Sequence, residues 1–139
     1  VTTISPAPPR RRGLGVVAFV AAVAAVVLAG AVVWFAGFSL GRILRVTDYL
    51  DIVDDAEAQM WESLGRAGWA LAILVAGWLL HALLALWALV QGIVATALGR
   101  GRGLGIAAIA IACLGWVPLG WWTQESLIAG ALGIIPFLG

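Results

Sequence analysis

Arg12-Gly-Leu-Gly-Val-Val-Ala-Phe19 returns late in the chain as Arg102-Gly-Leu-Gly-Ile-Ala-Ala-Ile109. In each copy an arginine borders a long run without charge, so two apolar segments start from matching basic edges. Basic borders are held on one side of a bilayer. The two segments therefore run in the same direction, and whatever joins them has to cross back. This reading makes the chain an all-α, polytopic helical membrane protein with three spans.

Composition agrees, since 63% of the residues are hydrophobic and only 11% are charged, against about a quarter charged in an ordinary soluble domain. The cations are Arg10, Arg11, Arg12, Arg42, Arg45, Arg66, Arg100 and Arg102, and there is no lysine. A lysine-free chain rich in Ala, Gly and Val fits a GC-rich bacterial gene, such as an actinobacterial one. Cys113 is the single cysteine, which excludes an internal disulfide and a four-cysteine metal site.

The expected spans are 13–40, 67–99 and 103–122. The first exceeds both the roughly 20 residues that cross a hydrocarbon core and the short core of a secretory signal, so it reads as an uncleaved signal anchor. The second would be about 50 Å long at about 1.5 Å per residue, so it tilts or projects, because halving it leaves two pieces too short to cross. The third carries Pro118 near its end. Residues 1–12 form a Pro/Arg tail, and 13–139 a single transmembrane domain.

Arg10, Arg11, Arg12, Arg100 and Arg102 stand in loops free of acids, whereas residues 41–66 and the C-terminal tail hold all 7 acids. The positive-inside rule then puts the N-terminus in the cytoplasm and the C-terminus outside, across a bacterial inner membrane. Trp34, Trp61, Trp69, Trp116, Trp121 and Trp122 fall near the outer interface in this arrangement, with Trp78 and Trp87 deeper.

Residues 47–65 read as an external amphipathic helix capped by Thr47, with Asp48, Asp51, Asp55 and Glu62 on one face and Tyr49, Val53, Ala56, Met60 and Leu64 on the other. Asp48, Asp51 and Asp55 have the spacing to hold a hard cation. However, no carbonyl-bearing loop accompanies them, and a solvated acidic face is the preferred reading. From Thr123 to Gly139 the chain is apolar but too short to cross, and Gly130, Gly133 and Pro136 weaken a helix there. An interfacial or re-entrant segment is expected.

In the second span Ala70, Leu74, Gly77, His81, Ala85, Ala88, Gly92 and Ala95 align in one narrow stripe flanked by Gln91. Small residues in line let another helix approach closely in lipid, and Gly77, His81, Ala85, Ala88 and Gly92 are the expected partner-packing set. Ala21, Ala25 and Ala29, and Ala108 and Ala112, offer similar faces. His81 is the only ionisable residue in a span core, which makes it the candidate for a proton path, a quinone contact or an axial haem ligand. The plainer reading, one hydrogen bond between helices, is preferred because no second His, Asp or Glu lies in the spans. Gly101, Gly103 and Gly105 lack the strand that a phosphate loop requires. No catalytic set assembles, and basic residues are too few for a nucleic-acid surface.

Arg12-Gly-Leu-Gly15 with its Ala/Val run, and Arg102-Gly-Leu-Gly105 leading to Trp116-Val-Pro-Leu-Gly120, resemble segments of small, uncharacterised multi-span membrane proteins of actinobacteria. The resemblance covers the first and third spans and implies a helical membrane fold without any activity. The expected function is a non-catalytic accessory subunit of an inner-membrane complex that binds other membrane subunits. A homo-oligomeric channel or proton/solute transporter with His81 and Gln91 lining its path comes next, then a haem- or quinone-associated electron carrier.

Overall fold

A computed structural model describes residues 13–47 and 56–133. Four helices follow in order: α1 (Gly13–Thr47), α2 (Ala56–Ala97), α3 (Arg102–Leu114) and α4 (Trp116–Leu132). Among the described residues there is no strand, as lipid requires of an open chain: a helix satisfies its own backbone, whereas a sheet edge in hydrocarbon does not. The α3–α4 boundary is a slight break in one membrane-length stretch. Gly115 stays in the right-handed region, its N–H bonds to Ile111 O at 2.8 Å, and Leu119 N–H reaches Gly115 O at 3.3 Å. Pro118 explains the break, because it supplies no N–H to the carbonyl one turn back, that of Leu114, whose side chain is exposed. Three stretches, 13–45, 57–97 and 102–132, are long and apolar enough to cross a membrane.

The boundaries differ from the sequence expectation at two places. Residues 56–65, expected in a separate external helix, are the first turns of α2, which has 42 residues and is about 63 Å long at the usual helical rise. Met60 and Leu64, on its expected apolar face, are exposed. Alanine, glutamate, glutamine and leucine all favour continued helix here, and no proline intervenes before the span. The remainder of that expected helix, with Asp48, Asp51 and Asp55, lies outside the described residues, as does the tail with Arg10, Arg11 and Arg12. Second, the third span does not stop at Trp122. Residues 123–132 continue α4, so the expected interfacial segment is helix over its described part. It ends at Gly133, whose φ of 67° and N–H bonds to Ala129 O and Gly130 O form a left-handed cap. Arg45 Nη1 donates to Leu132 O at 3.3 Å, tying that end to α1.

The longer third span also lowers its tryptophans. Trp116 lies level with His81, and Trp122 packs against Gly30 of α1. Both were expected at the outer interface.

α1 is the hub, packed along α2 on one side and along α3 and α4 on the other, while α2 meets α3 and touches α4 near its start, through Trp116 and Leu119. The two Arg-Gly-Leu-Gly copies begin at the same end: Gly15 N–H donates to Arg100 O at 3.2 Å. In each copy the second glycine is buried and the first exposed. A Cβ on Gly15 would strike Gly101 O, and one on Gly105 would lie 2.9 Å from Gly92 O, whereas Gly13 and Gly103 have open space around them. The turn between α2 and α3 reverses the chain through Gly99 and Gly101, at φ 67° and 87°, a region that side chains disfavour. Of the three glycines that superficially look like an anion loop, that backbone need accounts for Gly101, and close packing on Gly92 accounts for Gly105.

Candidate functional site around His81

The stripe read from the sequence of α2 is the inner face of that helix. Ala70, Gly77, His81, Ala85, Ala88, Gly92 and Ala95 are buried, and Leu74 is half-buried. Gly77 abuts Val32 and Val33 of α1, Ala88 joins Ala18, Ala21, Ala22 and Ala108 in one cluster, and Gly92 meets Gly105 and Ile109 of α3. The residues expected to receive a partner subunit are therefore covered by the chain's own helices. The reason is the hub: α1 and α3 are tethered within reach, and their close backbone approach leaves no room for a second chain. Ala25, Ala29 and Ala112 are buried in the same way.

His81 stands at the middle of this seam, fully buried. Its Nδ1 lies 3.4 Å from Ala25 O of α1. A carbonyl only accepts, so Nδ1 carries the hydrogen, and in the neutral ring Nε2 is then a bare acceptor. That Nε2 has no partner. The Trp116 ring meets the imidazole edge-on, centroids 4.9 Å apart at 85°, and Trp78 stacks obliquely on Trp116 at 5.7 Å and 31°. Gly115 makes the space: a Cβ there would come within 2.9 Å of both His81 Cε1 and Val26 Cγ2. Above this layer, Ala29, Val33 and Leu119 close the core with Leu74 and Trp78 against them.

This geometry limits the chemistry. The ring is hemmed by a carbonyl, a glycine and an indole, so an axial haem ligand or quinone contact would first have to displace Trp116 or part α1 from α3. Among the described residues no three His, Cys, Asp or Glu side chains converge. His81 acts here as a long, weak tether between α2 and α1, with an aromatic lid.

The seam that sequence reasoning missed is on the far side of α1. Gly30 lies against Trp122, Gly37 against Ser126 and Gly41 against the backbone of Leu127, Gly130 and Ala131. Ser126 is fully buried and donates to Thr123 O at 2.9 Å. The signal was present as Gly37-x-x-x-Gly41 facing Ser126-x-x-x-Gly130, a small-residue pairing typical of membrane helices. No protein-family model, curated protein or solved structure matches the chain.

Proposed function

We propose that the chain is a non-catalytic accessory or structural subunit of a larger bacterial inner-membrane complex, held with its N-terminus in the cytoplasm. The observation in support is the small-residue face that internal packing leaves over. Gly68, Ala72 and Ala76 recur at four-residue spacing on the outer side of α2, all exposed, in a shallow groove walled by Leu71, Val75 and Leu79. Gly68 has open space where a Cβ would sit. A transmembrane helix from another subunit would fit this groove as α1 fits the inner face, through close dispersion contacts that lipid tails supply less well. The channel reading has no observation in its favour, because His81 is enclosed within a single chain.

Tagged protein extracted in mild detergent is expected to carry other membrane subunits in fixed ratio. Ala72→Ile fills the groove without touching the inner seam, and it should lower their recovery by roughly tenfold, the effect of about 1.4 kcal/mol. Recovery of the chain alone, or of copies of itself only, would defeat the proposal. The orientation has its own check. In a Cys113→Ser background, Ser5→Cys should react with a membrane-impermeant maleimide only after the cells are permeabilised, and labelling of intact cells would reverse the topology.

A further inference from the structure

We infer that the cleft between α1 and α2, at the end away from the Arg100 turn, binds an anionic phospholipid through its phosphate, with an acyl chain on the cleft's apolar floor. At this end α4 lies against the Gly37 and Gly41 side of α1, so no third helix fills the gap between α1 and α2, and a cleft of about 550 Å³ opens there. Its lining is sorted by depth. Arg42 and Ser39 of α1 and Arg66 and Ser63 of α2 lie at the outer level, while Phe35, Ala36 and Ile73 lie towards the membrane centre.

Position fits a headgroup. From Gly15, at the Arg100 turn, to Arg42 is about 40 Å along α1 at the usual rise, more than the roughly 30 Å of a hydrocarbon core. The two guanidinium groups therefore stand at headgroup depth in the leaflet opposite that turn, and Trp69, which also lines the cleft and is 71% exposed, is an interfacial indole beside them.

Charge selects the ligand. Arg66 is paired with Glu62 one turn away, Arg42 has no acidic partner among the described residues, and the two charged side chains that line the cleft are both arginines. A guanidinium presents forked donors that match phosphate oxygens. The apolar floor has no use for a free anion but accepts an acyl chain, so the occupant is a lipid and not inorganic phosphate. A phospholipid with net negative charge satisfies the arginines better than a zwitterionic one, whose own ammonium competes.

Native mass spectrometry of the full chain in mild detergent, titrated with phosphatidylglycerol or phosphatidylcholine, tests this. One phosphatidylglycerol should bind saturably per chain, with phosphatidylcholine weaker by roughly tenfold. Arg42→Gln, at an exposed side chain, should weaken phosphatidylglycerol by roughly fivefold or more while circular dichroism stays unchanged. Ile73→Trp, which blocks the floor and spares both arginines, should also abolish saturable lipid binding. Equal retention of the two lipids, wild-type binding by Arg42→Gln, or unchanged lipid binding by Ile73→Trp would each overturn the proposal. Displacement of phosphatidylglycerol by millimolar inorganic phosphate would identify a free-anion site and overturn it too.

Discussion

Gly41→Ala is expected to cost about 3 kcal/mol, the upper range for forcing an atom into a packed core, and Gly41→Leu to detach α4 from α1 altogether. At this crossing the two backbones touch: a Cβ on Gly41 would fall on Leu127 O, and one on Gly130 would fall on Phe38 O. Carbonyls in a helix have no rotamer with which to step aside, so relief requires moving a whole helix. The same substitution at Gly13, also in α1 but with nothing within 4 Å, should be neutral or favourable by up to about 1 kcal/mol through helix propensity. Unfolding in mixed micelles by titration with sodium dodecyl sulfate, followed by circular dichroism, measures both. Equal midpoints for Gly41→Ala and wild type would mean that the α1–α4 contact is absent.

His81→Ala should destabilise the bundle by about 3 kcal/mol, as truncation of a large buried side chain does, and His81→Leu by less than about 1 kcal/mol. Leucine restores most of the volume between Ala25, Gly115 and Trp116 and removes an acceptor, Nε2, that has no donor. Replacing a half-satisfied buried polar group with an apolar one of similar size is nearly neutral. What is lost is one long contact to Ala25 O at 3.4 Å. The pair also separates structure from chemistry. In the intact complex, leucine should preserve function where alanine does not. If both variants abolish function while His81→Leu unfolds like wild type, the imidazole itself is required.

Much of this architecture was readable because small residues are informative in lipid. The α2 stripe was legible at helical spacing, since Ala70 through Ala95 alternate with bulky leucines and valines that face outward, and the inner face of α2 follows it closely. The start of α1 and of α3 at one end was legible in the repeated Arg-Gly-Leu-Gly. The α1–α4 seam was not, because Gly130 and Gly133 were weighed as helix breakers. That penalty belongs to water, where an exposed glycine backbone gains freedom and solvation. In a membrane a glycine inside a helix is repaid by close contact, and Gly130 is buried in the last turn of α4 while Gly133 caps the end. Trp116 was misplaced for the same reason: shortening the third span moved its tryptophans outward by several turns. The mutual arrangement of Arg42 and Arg66, far apart in the chain, had no local signature at all.

The place of α1 at the hub has a consequence for how the molecule is made. α1 precedes its partners in the chain, so it is already in the bilayer when α2 leaves the ribosome, and α2 finds its seam waiting. α3 and α4 then emerge last and close the opposite side of the same helix. The face of α1 that packs on α2 is thus covered early, whereas its glycine-lined side at Gly30, Gly37 and Gly41 stays bare until Trp122, Ser126 and Gly130 of α4 are made, so exposure to quality-control proteases falls on that side.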